Sequence, residues 1–303
     1  MHHHESSHHH SHDISDLSGK KIFWVTVLNA LITIAELLGG IFSGSLALLS
    51  DALHNLSDTV AIALSYFAHR ISKRPKNSKK SFGYKRIEIL AAFVNASVLF
   101  GISLMLIYEA IRRFNHPLTI DGNLMISVAI IGLLANFISV FLLKKDAHEN
   151  INIKSSYLHL VSDTVSSVGV VLGGMAIKLW NIVWIDPLIT IFISLYILRE
   201  TWQILIKAID ILMQAAPPLD HDEIKKFIEN IEGVKNIHHI HTWMLNEKTI
   251  HFEAHIDMID MKISAAELIY SKIEQYLHEH HGINHITLQA EVDRCTKKLA
   301  EHS

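Results

Sequence analysis

Five long stretches of this chain contain no lysine or arginine: residues 22–69, 87–111, 123–143, 155–177 and 182–198. A helix needs about 20 mostly apolar residues to cross a bilayer, and the first stretch is long enough for two such helices, split at Ser43-Gly44-Ser45. Six spans are predicted, at about 22–43, 46–69, 87–111, 123–143, 155–177 and 186–208. The sixth is interrupted at one end by Arg199 and Glu200. A large soluble protein with buried helices is the competing reading, and five cation-free stretches argue against it.

Basic residues in short loops set the orientation. Residues 70–86 carry Arg70, Lys73, Arg74, Lys76, Lys79, Lys80, Lys85 and Arg86 with no acid, and 144–154 carry Lys144, Lys145 and Lys154. Loop 114–121 has no Lys or Arg and 178–185 only Lys178. Loops 2–3 and 4–5, and with them both termini, are expected in the cytoplasm. Arg112 and Arg113 at the outer end of span 3 run against this pattern. No cleavable signal peptide is expected, because a polar His/Ser tract precedes span 1.

The composition narrows the chemistry. A net charge of -3 leaves no basic excess for nucleic acid, and a single cysteine excludes a disulfide framework or a cysteine-based zinc ribbon. The 23 histidines in a chain that is 50% hydrophobic instead point to divalent metal at a membrane. Seven lie in the N-terminal tract, at His2, His3, His4, His8, His9, His10 and His12. Such a tract binds divalent metal weakly and could load a transport site. A cloning artefact is the rival account, disfavoured because no run reaches six.

After residue 213 the chain becomes polar, with Pro217-Pro218 at the boundary. Residues 222–232 have helical spacing up to Gly233, 237–245 and 249–258 read as strands around a short turn, 264–280 as a helix stopped by Gly282, and 285–292 as a third strand. The expected architecture is an all-α six-helix membrane bundle followed by a small cytosolic α+β domain of order αββαβ. The domains are a flexible tail (1–19), a transmembrane domain (20–212) and a C-terminal regulatory and dimerisation domain (213–303).

Ionisable residues deep in spans are costly and usually functional. They are few: Glu36 in span 1, Asp51, His54 and Asp58 in span 2, and His159 and Asp163 in span 5. Two of these groups repeat each other: His54-Asn-Leu-Ser-Asp58-Thr-Val and His159-Leu-Val-Ser-Asp163-Thr-Val are both H-x-x-S-D-T-V. Residues i and i+4 share a helix face, so each segment offers an imidazole beside a carboxylate. Together they supply two nitrogens and two oxygens, a tetrahedral Zn²⁺ set whose two carboxylates neutralise the ion. A pair of structural His–Asp contacts is the plainer alternative. Both motifs lie toward the N-terminal ends of oppositely running spans, so helix tilt is expected to bring them level. Asp51 and Glu36 are candidates for supporting or proton-relay roles, with helix packing an equal account of Glu36.

Several segments together carry a resemblance: Glu36-Leu-Leu-Gly-Gly, Gly44-Ser-Leu-Ala-Leu-Leu-Ser-Asp51-Ala-Leu-His54 and Ser81-Phe-Gly-Tyr-Lys-Arg86-Ile-Glu88. The chain resembles the cation diffusion facilitators, in the zinc-exporting branch of bacterial CzcD-type and eukaryotic zinc transporters. The resemblance implies a homodimer that exchanges Zn²⁺ for H⁺ by alternating access, with a metallochaperone-like cytosolic domain. It puts the transport site on His54, Asp58, His159 and Asp163, with histidine at position 54 the zinc-selective pattern.

Relatives with a further zinc in the loop between spans 2 and 3 use histidines where this chain has Lys80 and Tyr84, so no zinc is expected there. The cytosolic-domain site of relatives falls on His238, His255, Gln289 and Glu291. Glutamine is a poor zinc ligand, and His239, His241 or His285 is a candidate substitute. A solvated strand position is the plain account of any one of them. His278, His280 and His281 are explained by their place near a helix C-terminus.

The expected function is proton-coupled Zn²⁺ export across a bacterial inner membrane, without catalysis. A membrane metalloenzyme would need a hydrolase signature, and His278-Glu-His-His lacks the final histidine of H-E-x-x-H. A passive channel would want a continuous polar path rather than four ligands that dehydrate the ion. A metal sensor without transport has no use for six spans.

Overall fold

The computed structural model describes the backbone of residues 11–144 and 151–294, with side chains over 27–144 and 157–294. His2, His3, His4, His8, His9 and His10, His148 and the single cysteine, Cys295, lie outside the described residues. Six long helices come first: α1 (Ser11–Ser43), α2 (Leu46–Ser72), α3 (Ile87–Asn115), α4 (Gly122–Leu143), α5 (Ile151–Trp180) and α6 (Ile185–Leu212). Four of them (α3, α4, the Tyr157–Trp180 part of α5, and α6) are long and apolar enough to cross a membrane. The described apolar part of α1, Val27–Ser43, is shorter. The chain is thus a multi-pass helical membrane protein with a C-terminal domain of mixed sheet and helices.

Two of the long helices start well ahead of the sequence expectation, α1 at Ser11 rather than about 22 and α5 at Ile151 rather than about 155. In α1 the helical backbone runs from Ser11 through residues 11–19. No proline interrupts that stretch, and extending an existing helix is far easier than nucleating one.

The described residues pack as two compact units, one made of residues up to Leu64 with Val94–Gln203, the other of Ser65–Phe93 with Ile204–Ser303. In the first, helices approach closely where one side lacks a side chain. A Cβ on Gly39 of α1 would lie 2.8 Å from the Val128 methyls of α4, and one on Gly174 of α5 would lie 2.7 Å from Ile126 Cγ1. Ala47, Leu48, Met125, Ala129 and Val170 fill the space between.

The α1–α2 junction falls where expected. Gly44 adopts φ +74°, a left-handed turn that glycine accepts without a Cβ penalty. The orphan N–H groups at the start of α2 are met from a distance. The fully buried Asp186, at the start of α6, accepts hydrogen bonds from Leu46 N (2.8 Å), Ala47 N (3.1 Å) and Ser45 Oγ. Arg113 donates to Gly44 O, and both Arg112 and Arg113 pair with Glu109. These two arginines are thus engaged locally, which accounts for their running against the charge pattern of the loops.

In the second unit, α7 (His221–Glu229) is followed by β1 (Val234–Asn246), β2 (Thr249–Met258), α8 (Ile263–His281) and β3 (His285–Glu291). Helix α7 is capped by Asp220, whose carboxylate accepts from Asp222 N and Glu223 N. It ends at Glu229, ahead of the expected 232, because the chain must turn before Gly233, which sits at φ +96°. Strands β1 and β2 pair antiparallel, and β3 joins β2 in parallel after the α8 crossover. One sheet face (Ile237, Phe252, Ala254, Ile256) packs on Ile224, Ile228, Ile273 and Leu277 of the two helices. The opposite face of β2 carries His251, Glu253, His255 and Asp257, as the alternation predicts.

Asp186→Ala leaves three buried donors without an acceptor. It is expected to lower the stability of the detergent-solubilised protein by about 2–4 kcal/mol. Thermal unfolding measures this, and an unchanged midpoint would refute the capping role.

Candidate metal centres

The repeated H-x-x-x-D segments meet. His54 and Asp58 project from α2 toward His159 and Asp163 of α5. Asp58 lies beside the middle of α2 and Asp163 within a turn of the middle of α5, so the motifs meet at half length.

The separations around the cluster are 3.1 Å (His159 Nε2 to Asp58 Oδ2), 3.6 Å (His54 Nε2 to Asp58 Oδ2), 3.8 Å (His54 Nε2 to Asp163 Oδ1) and 3.6 Å (His159 Nε2 to Asp163 Oδ2). Bonds of about 2.0–2.2 Å to a tetrahedral zinc separate neighbouring ligand atoms by roughly 3.3–3.6 Å. The four distances span that value. Nδ1 of His54 and Oδ2 of Asp163 are buried without a hydrogen-bond partner. Of these two, Asp163 Oδ2 faces His159 Nε2 within the cluster, whereas His54 faces the cluster through Nε2.

The remaining buried polar groups hold the helices around the cluster. Glu36 of α1 accepts from Asn55 Nδ2 at 3.1 Å. Asp51 accepts from Ser166 Oγ (2.9 Å) and Ser167 Oγ (3.2 Å) of α5, and Asn136 of α4 donates to Ser167 Oγ at 3.4 Å. Neither Glu36 nor Asp51 hydrogen-bonds a member of the quartet. Asn55, Ser166, Ser167 and Asn136 were not singled out in the sequence, although Asn55 and the two serines adjoin the motifs. A cavity of about 350 Å³ lies against His54 and Asp163, bounded by Ser162, Ser166, Phe192 and Tyr196.

A second cluster lies on the polar sheet face. His238 Nε2 is 3.3 Å from Glu291 Oε2, and His255 Nδ1 is 3.0 Å from Glu291 Oε1. Strand register accounts for this: His238 faces His255 across β1–β2, and His255 faces Gln289 across β2–β3. Gln289 joins the group through its neighbour, its Nε2 donating to Glu291 Oε1 at 2.8 Å. Burial raises the Glu291 pKa, but the Gln289 hydrogen bond and the two imidazoles outweigh it and hold the carboxyl below its ordinary value.

Of the three substitute histidines, His239 alone is near. A bulge in β1, with His239 at φ +50°, brings its ring within 5.2 Å of His238 and 5.1 Å of His255. His241 pairs with Glu253 instead. His285 lies 4.7 Å from His251, which is itself buried under Trp243 and Phe82. Desolvation, then His285, Lys85 and Arg86, lower the pKa of His251, which favours its neutral form. In the loop between α2 and α3, the Lys80 ammonium sits over the Tyr84 ring and Asn77 donates to the Tyr84 hydroxyl. His278 Nδ1 lies 3.2 Å from the Ile283 carbonyl, a local contact at the helix end.

A multi-pass helical unit with a half-buried His/Asp quartet, joined to a small sheet domain with its own His/Glu cluster, defines a membrane protein that handles divalent cations. Residues 22–213 match the cation efflux transmembrane domain and residues 216–293 the cation efflux protein cytoplasmic domain, and the chain belongs to the cation efflux family. It is 36% identical to the zinc transporter ZitB of Escherichia coli over 295 residues, 96% of this chain and 93% of that one. It is likewise 36% identical to the metal cation efflux system protein CzcD of Cupriavidus metallidurans, covering 97% and 93%. Identity to the cadmium, cobalt and zinc/H(+)-K(+) antiporter of Bacillus subtilis is 37%, over 93% and 92% of the two chains.

Removing a group that orients a metal ligand typically weakens binding about 10–100-fold. Gln289→Leu in an Asp163→Ala background is expected to weaken zinc binding by about tenfold, read by competition with a chromophoric chelator. Equal affinity would rule out the orienting role. Acid should weaken the fold through His251. A histidine with lowered folded pKa contributes stability above its unfolded pKa, and loses it as pH falls toward the folded value. His251→Phe should therefore flatten the decline in melting temperature between about pH 7 and pH 5.

Proposed function

We propose that this protein exports Zn²⁺ from the cytosol in exchange for protons, by alternating access, with His54, Asp58, His159 and Asp163 as the transport site. The spacing of the four ligand pairs carries this reading. The family and the zinc-transporting relatives support it, and the half-buried quartet fits zinc's preference for imidazole and carboxylate in a tetrahedral set. Six spans serve this function, with both termini in the cytosol and the boundary with the cytosolic αββαβ domain near residue 213. The histidine-rich N-terminal tail, residues 1–19, would feed the site. The protein would work as a homodimer in a bacterial inner membrane.

Ligation requires deprotonated groups. On the outward side, protons compete for the same imidazoles and carboxylates and release the metal. The return of the protonated site then couples export to proton entry. Asp58 and His159 are partly exposed, with side-chain accessibilities of 30% and 40%, while Asp163 is at 3%. Given the orientation of the loops, the exposed pair is the one nearer the cytosol. That gradient favours a state open inward, ready to load metal.

The cluster at His238, His255 and Glu291, with Gln289 orienting Glu291, is proposed to sense cytosolic zinc and bias the helices toward transport. Asp51 and Glu36 are proposed to fix the helices that carry the quartet, through Ser166, Ser167 and Asn55.

In proteoliposomes, Asp163→Ala is expected to abolish zinc flux while the protein still purifies as a folded species. Undiminished flux would sink the site assignment. Zinc flux into inside-out vesicles should collapse with the proton gradient; a flux indifferent to the gradient would indicate a channel. His54→Asp is expected to raise cadmium flux relative to zinc, and an unchanged ratio would exclude a selectivity role.

A further inference from the structure

We infer that a cavity walled by the loop between α2 and α3 and by the β1–β2 turn binds the phosphate headgroup of an anionic phospholipid. The cavity measures about 710 Å³ and lies wholly within the second unit. Five cations line it: Lys73, Arg74, Lys76 and Lys85 from the loop, and Lys248 from the turn. Among the described residues, none of the five makes an ion pair; Lys85 reaches only the Thr249 hydroxyl, at 3.5 Å. The two acids in the wall have closer partners elsewhere, although Lys248 also attracts Glu88 at longer range. Glu88 lies 2.9 Å from His69 Nδ1 and accepts from Ser72 Oγ at 2.8 Å, and Glu247 pairs with Lys207. Five cations around one space repel each other, and an anion relieves that repulsion through charge-assisted hydrogen bonds.

The position favours a lipid over a soluble anion. Helix α3 crosses the membrane from Ile87 onward, so Lys85 and the wall residues Glu88, Ile89 and Ala92 lie at the bilayer surface. Ile89 and Ala92 give the cavity an apolar side, and the exposed Phe82 stands at its edge. Anionic leaflets attract clustered Lys and Arg beside a membrane helix. Loop lysines alone would follow from the rule that orients spans. Lys248 does not follow from it, since it belongs to a hairpin turn far along the chain. Asn246 Oδ1 accepts from both Lys248 N and Thr249 N, which fixes the turn that presents Lys248. A bound headgroup would therefore join the loop to the hairpin.

The test uses the full-length protein in neutral detergent with phosphatidylglycerol, phosphatidylcholine or inorganic phosphate. Retention by native mass spectrometry and the rise in melting temperature are the readouts. Phosphatidylglycerol is expected to be retained and stabilising, and phosphatidylcholine not. A contact of about 1 kcal/mol per cation corresponds to roughly fivefold in affinity. Arg74→Gln and Lys248→Gln should each cost about that factor, with Lys248→Arg restoring binding. Lys79→Gln, in the same loop but outside the cavity, should have no effect. An undiminished affinity in Lys248→Gln, or an equal loss in Lys79→Gln, would mean diffuse attraction and overturn the site. Equal stabilisation by millimolar inorganic phosphate would assign the cavity to a soluble anion and overturn the lipid reading. Each variant's lipid-free melting temperature separates lost binding from lost folding.

Discussion

Four ionisable side chains linked by four His–Asp contacts of less than 4 Å between apolar helices must be arranged so that like groups are not neighbours. The measured separations alternate around the ring: His54, Asp58, His159, Asp163 and back to His54. Every imidazole thus has two carboxylate neighbours. This order follows from the motif and the direction of the helices. Two parallel helices carrying H-x-x-x-D would set histidine beside histidine and aspartate beside aspartate. Antiparallel helices set each histidine against the other helix's aspartate. The repeat therefore gives this alternation only on helices of opposite direction, which the contacts of His54 with Asp163 and of His159 with Asp58 require of α2 and α5.

The quartet was legible because a repeated motif in a greasy chain has few innocent explanations. The groups that hold it were harder to read. Ser166, Ser167, Asn55 and Asn136 are ordinary residues for a membrane helix, and their value lies in which neighbour they reach. Asp186 is the clearest case. At the start of an apolar stretch it looks like an interfacial acid, yet it is buried and caps a helix 140 residues earlier in the chain. Partners at that sequence separation leave no local pattern.

The sheet domain divides along the same line. Alternation predicted the polar face of β2, because a strand has a fixed period of two. His251 lies on that face and is nevertheless buried, since Phe82 and Trp243 cover it. His239 reaches the cluster only through a bulge, which shifts the period by one residue. Gln289 was singled out as a weak ligand, and its amide nitrogen instead serves the carboxylate two residues on.

This last contrast separates the two clusters physically. A metal-binding group is firm when its own orientation is fixed by a further partner. Glu291 has such a partner in Gln289. The other ligand atoms of both clusters lack one: His54 Nδ1 and Asp163 Oδ2 between the helices, and His238 Nδ1, His255 Nδ1 and Glu291 Oε2 on the sheet, are buried without a hydrogen-bond partner. Both clusters therefore present unmet ligand atoms of the same chemical groups, and what sets the second apart is the amide that fixes one oxygen of its carboxylate.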